Sequence, residues 1–354
     1  MNVKMRRFFH KFFKIFIIFM VGTAIINIGL LLILVINHKN KSKEEEAFLK
    51  IPGEVVRIDD HTMHAIKTGN PDSEITMVFL HNSGIVDDSI ALQPLFNELK
   101  DDYELVYIDR SGVGYSENSG SSRDIDTMLS ETRQVVEALD VNESVVIVPM
   151  GTAGIEAIHW ANQYPDEVKA IIGINMNYPE QFKDTTTEEY CGFFDYIMMG
   201  FAKIGGTRLI ESAYPDNNYG LYTDTQMKTR DALISRGFYT KDMYNEDLAM
   251  IDNAAKVYAE GWPEDTKMYM ILSNPLMEPY ASSDEDVSNQ YAEAVEENPD
   301  VDYVEEYNRT VKDKFKDMDN IMLNEIAGPA RVYTYCPKEL AEQMSLYIDE
   351  QLLQ

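Results

Sequence analysis

From residue 50 onward, short apolar runs alternate with amphipathic segments. Ile75–Leu80 (ITMVFL), Glu104–Ile108 (ELVYI), Ser144–Val148 (SVVIV), Val168–Met176 (VKAIIGINM) and Lys267–Leu272 (KMYMIL) read as strands. Glu54–Ile58 and His61–Lys67 read as an early hairpin, and Ile321–Asn324 as a last strand. Helices fit at Ser89–Leu99, Asp124–Leu139, Thr152–Tyr164 and Pro337–Leu353. The second of these opens on Asp and keeps Met128, Val135, Val136 and Leu139 at helical spacing. Such alternation predicts an α/β fold with a mostly parallel sheet covered on both faces. Residues 177–265 break the rhythm. They are rich in Tyr, Phe and Met, carry the turn signal PDNNYG at 215–220, and are expected to form an inserted cap.

The amino-terminal pattern is different. Ile15 to Ile36 contains no charge, and as a helix it is roughly 33 Å long, enough for a bilayer core of about 30 Å. The run exceeds a usual signal-peptide core, and no small-x-small cleavage site follows it, so an uncleaved anchor is expected. The expected organisation is a cytoplasmic basic segment at 1–14, a transmembrane anchor at 15–36, a polar tether at 37–49 and a body at 50–354. Lys4, Arg6, Arg7, Lys11 and Lys14 precede the anchor, against Lys39, Lys41 and Lys43 after it. This bias predicts a single-pass protein of the cell membrane with an extracytoplasmic body.

Charge narrows the partners. The first 40 residues hold six of the 31 Lys and Arg and none of the 60 Asp and Glu. A body that acidic repels nucleic acid and anionic headgroups, so no nucleic-acid partner and no lipid contact beyond the anchor are expected. No metal-ligand spacing and no cofactor fingerprint occur, so neither is expected. Cys191 and Cys336 are expected to be free buried thiols.

Four stretches in order resemble the α/β-hydrolase family, with the closest likeness to membrane-anchored bacterial members. They are 77-MVFLHNSG-84, 109-DRSGVGYS-116, 145-VVIVPMGTAG-154 with 164-YPDEVKAIIGI-174, and 326-IAGPARVYTYCPKELAEQMSLYI-348. The resemblance implies an α/β-hydrolase fold with a cap. It also implies a nucleophile at an elbow of the form small-x-nucleophile-x-small. Here the elbow reads Pro149-Met150-Gly151-Thr152-Ala153, with Gly151 at the nucleophile position. Glycine tolerates the strained dihedral but offers no attacking atom. The family's histidine falls in a Gly-His pair after the last strand, which here is Gly328-Pro329. All six histidines lie at or before residue 159, so the order nucleophile, acid, base is not met. The acid position falls near Leu276, with Glu278 close by. His61 and His64 are expected on the surface of the hairpin. His159 is expected about 10 Å along the helix from Thr152.

These substitutions predict a family member without serine-hydrolase activity. Backbone amides survive side-chain substitution, so His81, Asn82, Ser83, Met150, Gly151 and Thr152 are expected to frame a site for a small acyl or carboxylate ligand. A protein partner is the other expectation, and a fold merely inherited by a surface protein a third. The alternative is an active hydrolase of carboxylic esters or related acyl substrates using a non-standard nucleophile such as Thr152, although a hydroxyl at a helix start more often caps amides.

Overall fold

The structure is a computed structural model that describes residues 3–215, 217, 220–274 and 301–353. Its centre is an eight-stranded sheet in the order β1-β2-β4-β3-β5-β6-β7-β8. The strands are β1 (Glu54–Ile58), β2 (His61–Gly69), β3 (Thr76–Leu80), β4 (Glu104–Asp109), β5 (Val145–Pro149), β6 (Val168–Ile174), β7 (Lys267–Asn274) and β8 (Ile321–Ala327). β1, β2 and β4 pair antiparallel, and every other pairing is parallel.

Period-two alternation divides the core. In β3, Val78 and Leu80 join the cluster on one face, and Met77 and Phe79 the cluster on the other. The Val78 face packs against α4 (Ile125–Ala138) and α5 (Ala153–Gln163) through Leu129, Ile158 and Trp160. The Met77 face packs against α3 (Gln93–Leu99) and α11 (Pro337–Gln351) through Leu95, Leu99 and Met344. Asp124 caps α4 by accepting from the Thr127 amide at 3.0 Å, as its sequence suggested.

Three features differ from expectation. The helix expected at 89–99 is two pieces, α2 (Asp88–Ala91) and α3, because Pro94 cannot donate within the first turn of α3. The segment expected as a tether is helical: α1 runs unbroken over Val3–Glu45, its last turns being Lys- and Glu-rich and held by Arg208. Helix α10 (Val301–Phe315) had no counterpart in the expected elements.

Between β6 and β7 the chain leaves the sheet and forms α6 (Thr187–Tyr190), α7 (Phe193–Lys203), α8 (Asp224–Gly237) and α9 (Lys241–Glu260). This layer is fastened over the strand ends by buried ion pairs. Arg110, at the end of β4, donates to Glu246 of α9 at 2.5 Å and to Glu156 of α5 at 2.6 Å.

Candidate functional site at the strand ends

β5 ends at Pro149, Met150 bridges to Ile174, and the chain turns sharply into α5 through Gly151 at φ 52°. A left-handed φ at this turn favours glycine, and the Gly151 carbonyl accepts from the Asn177 amide at 2.8 Å. The elbow geometry is therefore present without its side chain.

The space is filled from across the sheet. Asn82, just beyond β3, directs its carboxamide at Gly151. A methyl placed on Gly151 would fall 2.5 Å from Asn82 Cγ and 3.0 Å from its Cβ. The Thr152 amide donates to Asn82 Oδ1 at 2.8 Å, and the Thr152 hydroxyl donates to the same oxygen at 3.0 Å. That hydroxyl accepts from the Ser83 amide at 2.9 Å. The Thr152 and Ser83 amides, among the groups expected to frame a ligand, are thus bonded within the protein. A cavity with Thr152 in its wall holds about 10 Å³, room for a single water at most. Thr152 does not cap α5: its backbone is already helical at φ −61°, and its hydroxyl is turned to the β3 loop.

The neighbouring groups are equally committed. His81 is fully buried, accepts from the Arg110 amide through Nε2 at 3.2 Å and donates from Nδ1 to the Asn82 carbonyl at 2.8 Å. Burial, aided by the Arg110 charge, lowers its pKa to about 4, so it is neutral near pH 7. Ser83 Oγ donates to Asp247 of α9 at 3.0 Å, and Tyr239 donates to the other oxygen of that carboxylate at 2.9 Å. Burial raises the pKa of Asp247.

Pro329 occupies the loop after β8, which is held by Asn175 donating to the Ala330 carbonyl at 2.7 Å. Leu276 and Glu278 lie outside the described residues. His61 and His64 are buried, not on the surface, because β1 covers the outer edge of β2. His64 is bonded between Asp109 at 2.7 Å and the Pro52 carbonyl at 2.5 Å, and His61 bonds Ser111 at 2.8 Å. His159 is held between Glu260 at 2.8 Å and Asp126 at 3.0 Å. Cys191 is buried and Cys336 only partly so; both are free. Burial raises both thiols, Cys336 to about 12, so neither is a thiolate at neutral pH.

An open space lies beside the elbow. A cavity of about 300 Å³ is walled by the loop after β3, the loop after β8 and α8, including Asp87, Arg230, Arg331, Tyr214, Ile234 and Phe238. Asp87 accepts from Arg230 at 2.7 Å and Arg331 at 3.2 Å, and Asp88 accepts from Arg331 at 2.7 Å and Tyr333 at 3.0 Å. Burial raises the Asp87 carboxyl, but Arg331 and Arg230 more than offset this and hold it below its usual range. For Asp88, burial dominates, the Asp87 charge adds to it, and the pKa stands at about 6. The sequence signal for this cluster was slight: an Asp-Asp pair after a predicted strand and an arginine two residues past Pro329.

No family model matches the chain. It is 30% identical over 242 residues to "Uncharacterized protein YbdG" of Bacillus subtilis, covering 67% of this chain and 73% of that protein. It is 26% identical over 130 residues to "Epoxide hydrolase 1" of Caenorhabditis elegans, covering 36% of this chain and 31% of that protein. Among solved structures, haloalkane dehalogenase DbeA-M1 loop variant from Bradyrhizobium elkanii superposes with a TM-score of 0.57 at 11% identity, over 84% of this chain and 96% of that one.

Proposed function

The chain belongs to the α/β-hydrolase fold family, and on that premise we propose that it is a membrane-anchored member that does not hydrolyse acyl substrates but binds a small carboxylate ligand beneath its cap. The observation that carries the first half is the Asn82 carboxamide lying where a nucleophile's side chain would project. An oxyanion hole stabilises developing charge only if its amides are open to the substrate oxygen. Here the Thr152 and Ser83 amides already have acceptors. The Thr152 alternative finds no support either. Its hydroxyl donates to a neutral amide oxygen, not to an imidazole or carboxylate able to take the proton.

The ligand reading moves from the elbow to the Arg331 cavity. Two guanidiniums line it with Asp87, and Arg331 also holds the buried Asp88, which carries a proton below about pH 6. The cluster then has one positive charge in excess, which favours a carboxylate, while Tyr214, Ile234 and Phe238 offer apolar wall for a short acyl chain.

Anchoring is supported by one helix, His10–Glu45, long and apolar enough to cross a membrane. The basic residues ahead of it favour a body outside the cytoplasm.

The test uses the full chain in detergent. No fluorophosphonate labelling and no turnover of short p-nitrophenyl esters are expected. Labelling that vanishes in Thr152→Ala overturns the non-hydrolytic half. Octanoate is expected to raise Tm saturably at pH 5.5, and Arg331→Ala to abolish that rise. No rise in the parent chain at any octanoate concentration overturns the binding half. A carboxy-terminal alkaline phosphatase fusion is expected to be active; an inactive fusion whose fluorescent-protein counterpart glows would reverse the orientation.

A further inference from the structure

We propose that the apolar face of α7 lies in the interfacial layer of the same bilayer that α1 crosses, seating the cap on the lipid beside its anchor; this rests on reading α1 as a membrane span. The sequence of α7, FFDYIMMGFAK, carries one acid and one base in 11 residues. Phe193 is 78% exposed and Phe194 69%. Tyr196 and Ile197 continue that face at helical spacing, and Leu209 nearby is 68% exposed. Tyr196 leans on Tyr244 of α9 and Ile197 is about half covered, but the two phenylalanines and Leu209 stand largely open, and an apolar face of this kind marks an interaction site.

The position of α1 identifies what covers it. Gly205, just past α7, approaches α1 so closely that a methyl on it would fall 2.6 Å from the His38 ring Cγ. Arg208 donates to Glu45 at 2.7 and 2.9 Å, to Ser42 at 3.2 Å and to His38 Nδ1 at 3.0 Å. His38 stands two residues beyond Ile36, about 3 Å along the helix axis from the end of the uncharged run. The partly covered positions Leu34, Val35, His38, Ser42 and Glu45 form one stripe that crosses that boundary. The cap therefore abuts α1 at the height where headgroups begin.

Aromatic rings favour this layer, and the 60 acidic residues of the chain favour a zwitterionic surface over an anionic one. The proposed seating departs from the expectation from charge that only the anchor meets lipid, because this patch is apolar rather than charged.

The test places single tryptophans in the full chain, reconstituted in phosphatidylcholine vesicles with or without brominated acyl chains. Phe193→Trp and Ile197→Trp are conservative changes at exposed positions, read as added emission over the parent, whose own tryptophans are Trp160 and Trp262. Brominated lipid is expected to reduce the added emission about twofold at both sites. Leu346→Trp, at an exposed position of α11, is the control expected to keep its emission. Ile26→Trp reports on the anchor itself. Quenching of Ile26→Trp without quenching at residues 193 and 197 overturns the inference and leaves the anchor standing, as a face covered by a second copy of the chain would do. No quenching of Ile26→Trp removes the anchor reading and the inference with it.

Discussion

The elbow at Gly151 and the cavity at Arg331 sit side by side at the carboxyl ends of the parallel strands, yet they treat polar groups in opposite ways. At the elbow the Thr152 amide, the Thr152 hydroxyl and the Ser83 amide are all paired inside the protein, within the set Asn82, Ser83 and Thr152. At the cavity, Asp87, Arg230 and Arg331 place their charges beside open space. On the reading proposed above, the elbow keeps its turn geometry while ligand binding falls to the cavity beside Arg331.

The comparison breaks most sharply at Gly151→Ser. The new side chain collides with Asn82 and imposes a β-carbon at φ 52°, so a loss of about 3 kcal/mol is expected in urea unfolding. Asn82→Gly in the same chain is expected to recover about 1–2 kcal/mol of it, a coupling that an additive pair would not show. Ester hydrolysis is expected from neither variant, since Pro329 supplies no base. The combination Gly151→Ser, Asn82→Gly and Pro329→His is the repair that would restore it.

Arg331→Ala comes next. It strips Asp88 of its cation, and since Arg331 is partly exposed the expected loss is about 2 kcal/mol at pH 7.5. The loss is expected to be smaller at pH 5, where Asp88 is protonated. Asn82→Ala follows, with about 1–2 kcal/mol, because it leaves the Thr152 amide without its acceptor. If Asn82→Ala also allows octanoate to bind in an Arg331→Ala background, the elbow is a blocked site rather than a lost one.

The smallest effect is a pH slope. Asp88 is protonated up to about pH 6 when folded but gives up its proton near 3.8 when unfolded. Its contribution is therefore fully present below about 3.8 and is lost as pH rises through about 6. Asp88→Asn is expected to flatten the fall of Tm between pH 4 and 7, and an unchanged slope would assign it to other groups.

The sheet was legible because its strands are apolar on both faces and short, and the elbow because Gly151 sits at a fixed distance before Tyr164-Pro165. Asn82 was read as a neighbour of a ligand, not as its replacement. Its meaning depends on a turn 69 residues away, and no local pattern carries that. His61 and His64 misled for a similar reason: a hairpin strand looks exposed until a further strand is known to pair with it. The last turns of α1 were read from charge, which marks solvent as readily in a helix as in a linker.

The contact between Gly151 and Asn82 ties two loops 69 residues apart into one unit. A side chain added at 151 has room only if 82 shrinks, and shrinking 82 alone empties the space and orphans the Thr152 amide, so the two positions are expected to change together or not at all.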